Sequence, residues 1–272
     1  MIREAVVDNL KVKIYESRVG MGAGMGKEVV EKIKFLLSRK DSVNIIFAAA
    51  PSQNEFLDFL SRNEEVDWGG VNAFHMDEYV GLAEHAPKRF SNFLKEKLFD
   101  KVSLGSVHYL NANAGNLSRE CEKYADLLKQ YPTDIVCMGI GENTHIAFND
   151  PHVADFKDLE IVKVVNLDDA CRQQQLNDGC FDHLEMVPSH ALTLTVPALL
   201  SAEYIYCIVP GKNKSEAVYF TLKEKISEKC PASILRRHRD SVLFLDADSS
   251  AKVYGTSSSP LDIINFNQCQ HE

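Results

Sequence analysis

Short apolar runs recur along the chain: NIIFAAA (44–50), VNAFHMDE (71–78), DIVCMGIG (134–141), ALTLTV (191–196), YIYCIVP (204–210) and SVLFLDAD (241–248). Most are continuous rather than alternating, the pattern of a strand buried on both faces of a parallel sheet. Between them the apolar positions fall into helical stripes: Val29, Val30, Ile33, Leu36 and Leu37; Phe90, Phe93, Leu94 and Leu98; Cys121, Tyr124, Ala125 and Leu128. Ser52 followed by Glu55 predicts a capping box that opens a helix carrying Phe56, Leu57 and Leu60. Strands alternating with helices imply βαβ units, right-handed crossovers and an open sheet covered on both faces. No internal repeat, charge block or long Pro/Ser-rich linker divides the sequence, so residues 1–272 read as one domain. SSSP (257–260) reads as a short loop near an irregular C-terminus. Ligands in such sheets lie beyond the carboxyl ends of the strands, so chemistry is sought just after each apolar run.

Composition narrows the class. The net charge is −9, from 30 Lys+Arg against 39 Asp+Glu, which argues against a general nucleic-acid binder with a basic face. The cysteines number seven, with no C-x-x-C pair, and Cys137 and Cys207 sit inside apolar runs. That usage suits free thiols in a reducing compartment. The first residues lack the basic-then-apolar layout of a signal peptide, and no stretch approaches the ~18 uncharged apolar residues of a membrane span. A soluble cytoplasmic protein is expected.

The glycine-rich GMGAGMGK (20–27) fails as a phosphate-binding P-loop, because Met21 and Glu28 stand where glycine and Ser/Thr are required; it reads as the start of the first long helix. Gly139 and Gly141 follow a strand, but Thr144 replaces the third glycine of a dinucleotide fingerprint. Two clusters carry more chemistry. His75, Asp77 and Glu78 crowd one strand end, where a carboxylate can serve as a general base or merely cap a turn. Glu142, Asn143, His145, Asn149 and Asp150 fall within nine residues after another strand. There His145 can exchange protons near neutral pH, oriented by an amide or carboxylate. A metal bound by His145, Asp150 and His152 matches no zinc spacing, and none is expected. Lys212 and Lys214 at a helix start could hold an anion, whereas Arg236–Arg239 reads as a solvated basic face.

The motifs HMDEYVGL (75–82), GIGENTHIAFNDP (139–151), VPSHALTLTVPALLSAE (187–203), VPGKNKSEAV (209–218) and PASILRRH (231–238) resemble those of glucosamine-6-phosphate deaminases, also called isomerases, in the family's own order. The superfamily also holds 6-phosphogluconolactonases. The resemblance implies a Rossmann-like α/β domain, a reaction without a cofactor, a small sugar-phosphate substrate and a homo-oligomer. It assigns Asp77 as the base that moves a proton between C2 and C1, and His145 as the ring-opening group. Asn143 and Asp150 would be its orienting partners, and Lys214 a contact to the phosphate end. Ser52, Gln53 and Asn54 stand in place of the family's glycine-rich phosphate loop, and Arg172 lies near a phosphate-gripping arginine. Glu78, Glu142 and Thr144 complete the substrate-contact candidates; the family's usual N-D-G-H is here Glu142-Asn143-Thr144-His145. The activity implied is an aldose–ketose isomerase/deaminase acting on an amino-sugar 6-phosphate. The alternatives are a sugar-phosphate lactonase and a non-catalytic sugar-phosphate sensor.

Overall fold

The computed structural model describes residues 1–167, 169–177, 181–255 and 264–265. The SSSP segment, Cys180 and Cys269 therefore lie outside the described residues. Strands β1 (Arg3–Val7) and β2 (Leu10–Tyr15) form a hairpin, and helix α1 (Arg18–Leu37) leads to β3 (Val43–Phe47). There follow α2 (Asn54–Ser61), β4 (Val71–His75), β5 (Asp77–Tyr79), α3 (Phe90–Leu94), β6 (Ser106–His108), α4 (Leu117–Gln130) and β7 (Ile135–Met138). The second half contains β8 (Val162–Asn166), α5 (Asp169–Asn177), β9 (His190–Leu194), α6 (Val196–Leu200), β10 (Tyr204–Val209), α7 (Ser215–Lys223), β11 (Ser241–Asp246), α8 (Ala247–Tyr254) and the two-residue β12 (Ile264–Asn265).

The main sheet has the order β12-β1-β2-β11-β10-β7-β3-β4-β6, and only the β1–β2 pair is antiparallel. Both faces are covered, which explains the continuous apolar runs. Val43, Ile45 and Phe47 of β3 enter one core, and Ile46 enters the other; Ile135 and Cys137 of β7 divide from Val136 and Met138 in the same way. The mostly parallel sheet expected from the run pattern is therefore present.

Two runs behave differently from expectation. VNAFHMDE does not continue as one strand: β4 ends at His75, and Asp77–Tyr79 peels off into a separate three-stranded antiparallel sheet, β5-β9-β8. ALTLTV, read as part of the parallel sheet, is the centre of that small sheet. Its apolar residues face a third core that includes Tyr79, Phe148 and Val165, together with part of the main one. A run buried on both sides looks the same in either sheet.

The glycine-rich stretch lies inside α1, as its failure as a P-loop implied. The missing side chains permit close packing. A Cβ on Gly22 would stand 2.6 Å from Glu55 Cβ, and one on Gly26 2.2 Å from the Phe59 ring. The helix carrying buried Phe56, Leu57 and Leu60 forms as expected, but without the capping box. Ser52 sits in a 3₁₀ turn (Pro51–Gln53), and Glu55 pairs with Arg18 at 2.6 Å instead of reaching back to the cap. The five described cysteines, including Cys137 and Cys207, are free and buried. The basic run is only partly the solvated face expected: Arg237 and Arg239 are exposed, but Arg236 is tied to Asp8 and to the Glu224 carbonyl, and His238 is buried. Among the described residues no helix is long and apolar enough to cross a membrane.

Candidate active site

From β3 the chain builds outward to β4 and β6; from β7 it builds the other way to β10 and β11. The strand order therefore reverses between β3 and β7, and a crevice forms beyond the carboxyl ends of strands at such a point. A cavity of about 330 Å³ lies there, lined by residues 48–53 after β3 and 139–141 after β7. Asp77, His145 and Lys214 open into the same space.

The loop 141–150 turns tightly to present His145. Gly141 N–H donates to the His145 carbonyl at 2.9 Å, and Thr144 is held at φ 71°. The imidazole lies against Gly141, where a Cβ would come within 2.2 Å of its Cε1. Its Nδ1 is 2.8 Å from Asn143 Oδ1 and 3.0 Å from Asp150 Oδ1. Asn143 Nδ2 in turn donates to Asp150 Oδ1 at 2.8 Å. Because both neighbours of Nδ1 are acceptors, Nδ1 carries the proton and Nε2 is left to take or give one.

Asp77 and Asp150 are both buried but are driven in opposite directions. Burial, reinforced by the charge of Glu78, pushes the Asp77 carboxyl well above the usual range. Burial acts the same way on Asp150, but hydrogen bonds and charge from His145, with further bonds from Asn143 and Cys171, outweigh it and bring it down to about 2. Two carboxylates whose environments separate their proton affinities suit two roles, one that exchanges a proton and one that stays charged.

Ser52 and Gln53 line the cavity with Lys214, which is 7% exposed. Asn143 and Asp150 stand behind His145 rather than in the lining, and five of the substrate-contact candidates do not line it either. Asn54 begins α2, with its N–H bound to the Pro51 carbonyl. Glu78 is wholly buried and accepts from the N–H groups of Tyr79, Phe90 and Ser91 at 3.0 Å and from Ser91 Oγ at 2.7 Å. With Arg89 3.6 Å away, it anchors the start of α3. The Arg172 guanidinium is pinned to the Leu184 and Val187 carbonyls rather than to the cavity. Thr144 buries its hydroxyl, and Glu142 accepts from Asn213 Nδ2 at 2.7 Å rather than from His145.

In their place the cavity has Arg18, Lys88, Gln174, Gln175 and Asn213, with Phe90 and Phe148 on an aromatic wall. The two rings are 5.7 Å apart and close to parallel. Asn213 was readable as the residue between two candidate lysines, and Gln174 and Gln175 as neighbours of Arg172. Arg18, in the first turn of a long helix, carried no signal.

His152 is exposed, 3.2 Å from the Asn166 carbonyl, and apart from the other two residues weighed as metal ligands. Among the described residues one group could offer three metal ligands: His145, Asp150 and Cys171, with ligand atoms within 4.8 Å of one another. Two of these three atoms already serve the hydrogen bonding around Nδ1.

Residues 16–244 match the family model described as glucosamine-6-phosphate isomerases/6-phosphogluconolactonase. A glucosamine-6-phosphate deaminase of Listeria monocytogenes serotype 4a is 34% identical over 209 residues, 77% of this chain and 87% of that one. One from Clostridium novyi is 32% identical over 195 residues, covering 71% and 79%. Among solved structures, a monomeric glucosamine-6-phosphate deaminase superposes with a TM-score of 0.80 at 28% identity, covering 88% of this chain and 98% of that one. A 6-phosphogluconolactonase from Thermotoga maritima shares the fold at a TM-score of 0.72 and 20% identity, with 89% and 99% covered. With this match over most of its length, the chain belongs to the glucosamine-6-phosphate isomerase/6-phosphogluconolactonase family.

Proposed function

We propose that the protein is an aldose–ketose isomerase/deaminase that converts an amino-sugar 6-phosphate, glucosamine 6-phosphate in the first instance, to the ketose 6-phosphate and ammonia. One observation carries the reading. A histidine whose Nδ1–H is fixed by Asn143 and Asp150 shares a cavity with a buried carboxylate, Asp77, of raised proton affinity.

In this reading His145 Nε2 takes the proton of the anomeric hydroxyl and returns one to the ring oxygen, which opens the ring. The Asp77 carboxylate then removes the C2 proton, giving an enolamine, and delivers it to C1. Water adds to the resulting C2 iminium, and ammonia leaves as the ketone forms. A raised pKa makes ionised Asp77 a stronger base, the adjustment general-base catalysis calls for. The Asn143 amide orients the ring without adding charge, so Asp150, held ionised, supplies the balance for a transient imidazolium. Lys214 and the Ser52–Gln53 turn take the phosphate end.

Lactone hydrolysis needs no carbon base, so Asp77 in the cavity favours the isomerase over the lactonase; a sensor would bind without turnover. Our reading further places the reaction in the cytoplasm, where the free thiols suit a reducing medium, and treats the whole chain as one domain, with homo-oligomer formation to be checked by light scattering.

The test is a coupled assay on glucosamine 6-phosphate without added metal, following ammonia and fructose 6-phosphate together. Both products form in equal amounts, and Asp77→Asn or His145→Gln lowers kcat by about 10²–10⁴-fold while binding persists. Turnover of 6-phosphogluconolactone alone, or an Asp77→Asn variant of unchanged rate, overturns the assignment.

A further inference from the structure

We infer that Arg18 is the specificity-determining anion ligand of this cavity, replacing with a side-chain guanidinium the backbone donors that the turn after β3 lacks. The inference rests on the sugar-phosphate reading above and names a residue which that reading does not use.

The argument begins with an accounting of N–H groups. A loop that cradles a phosphate does so with backbone donors left without internal partners. In the turn Pro51–Asn54, Pro51 has no N–H. Gln53 N–H is spent on the Ala50 carbonyl at 2.9 Å, and Asn54 N–H on the Pro51 carbonyl. Of the four, only Ser52 keeps a backbone donor without such a bond. Within this turn, anion recognition beyond the Ser52 N–H therefore falls to side chains.

Arg18 is placed to supply it. It is the first residue of α1, after the cap Ser17, and it lines the cavity beside that turn. Its Nη2 donates to the Pro51 carbonyl and its Nε to Glu55 Oε1. The guanidinium is thus clamped to both ends of the altered loop, and its Nη1 has no partner among the described residues. Gly22 makes the placement feasible, since a side chain there would strike Glu55 and hold α1 away from α2. The same pairing deals with Glu55, whose charge next to a dianion would repel it. With Arg18 bound, the loop presents a neutral pair plus three N–H donors unused among the described residues rather than a bare carboxylate. The turn also seats on Gly139, within 3.2 Å of a Cβ there for both Ser52 Oγ and Gln53 Nε2, at the strand ends from which the Lys214 turn departs. Arg18 and Lys214 therefore approach the cavity from different elements, the first with unused donors in a fixed fork and the second as a point charge, a combination that suits a phosphate monoester.

The experiment compares wild type, Arg18→Gln, Arg18→Lys and the double variant Arg18→Gln/Glu55→Gln. Inorganic phosphate and glucosamine 6-phosphate are titrated calorimetrically, and steady-state kinetics are measured beside thermal melts. Loss of Arg18 weakens phosphate binding at least tenfold and raises KM by a similar factor with kcat within about threefold. Lysine restores part of the affinity. The double variant, which leaves no orphaned carboxylate, folds as well as wild type and still binds phosphate weakly. If Arg18→Gln or the double variant binds phosphate as tightly as wild type, the inference falls and the deaminase reading is untouched. Should phosphate bind through Arg18 while no amino-sugar phosphate is turned over, only the deaminase reading falls. If wild type binds neither phosphate nor the sugar phosphate, both fall.

Discussion

The two ends of the cavity are built by different rules. At the end proposed for proton transfer, Asn143, His145 and Asp150 fall within eight residues of one loop, and their bonds to one another are complete around Nδ1. At the end proposed to hold the anion, Arg18, Ser52, Gln53 and Lys214 come from three separate segments of the chain, and the turn Pro51–Asn54 has used up most of its backbone donors. Chemistry that must hold an imidazole in one tautomer needs a short, closed network. Anion binding tolerates rearrangement, because donors from different segments can converge on one group and the loss of one leaves the others in place. The first end is therefore expected to fail abruptly when altered and the second to weaken by degrees.

Asp150→Asn tests the abrupt side. Asn143 still accepts from Nδ1, but the fixed negative charge is gone, so kcat falls by about 10²-fold, the low end of acid–base contributions, with KM little changed. The same variant reports on stability. The Asp150 carboxyl is brought down to about 2, below the ordinary aspartate range, so the folded protein holds this carboxylate ionised more readily than the unfolded chain does. That contribution is fully present above pH 4 and is lost as pH falls through 2. It amounts to about 2 kcal/mol, and acid titrations of unfolding show it in wild type and not in Asp150→Asn. A variant with wild-type kcat would mean that Asn143 alone orients the ring.

The unequal legibility of the two ends has the same origin. Strand runs, helical stripes and the Asp77 and His145 clusters were readable because each is local: a period, or a few reactive residues just past one apolar run. The β1–β2 hairpin carried a signal too, in the alternation of LKVKIY after Asp8-Asn9, a period of two that differs from the continuous runs of the buried strands. Arg18 and Gln174 reach the cavity through packing between distant segments, which no spacing encodes. Glu78 looked functional because it is a carboxylate beside Asp77. The alternative that it caps a turn is the one that holds for Glu78, although Phe90 and Ser91, 12 and 13 residues on, are partners that no local spacing points to. Arg172 misled in the same way: its carbonyl partners near 184–187 satisfy the guanidinium before any substrate can.

Thr144 gives a smaller contrast, in strain. It stands at φ 71° where the family pattern has glycine, and its buried hydroxyl has no partner among the described residues. A β-branched residue in the left-handed region costs about 1–2 kcal/mol. Thr144→Gly should release about 1 kcal/mol of this, since glycine also gives freedom back to the unfolded chain, and raise Tm by about 2–4 °C. Activity is expected to hold within about threefold, because Asn143 and Gly141 still fix the imidazole. Loss of activity on that change would show that the threonine side chain, and not the loop path alone, sets the ring.

The smallest effect is expected where the two ends meet. Asn213 neighbours Lys214 on the anion side and donates at 2.7 Å to Glu142, which neighbours Asn143 on the proton-transfer side. The bond is solvent-exposed, so it is worth no more than about 0.5–1 kcal/mol. If the ends are independent, Asn213→Ala lets the lysine turn drift and raises KM two- to fivefold, the same free energy expressed as affinity, while kcat stays within error. A double-mutant cycle pairing Asn213→Ala with Asn143→Ala then shows additive effects on kcat/KM, within about 0.5 kcal/mol. Coupling well beyond that, or a fall in kcat on losing Asn213 alone, would mean that the Glu142 contact transmits the position of the bound anion to His145. The cavity would then act as one unit rather than as a rigid proton-transfer end beside an adaptable anion end.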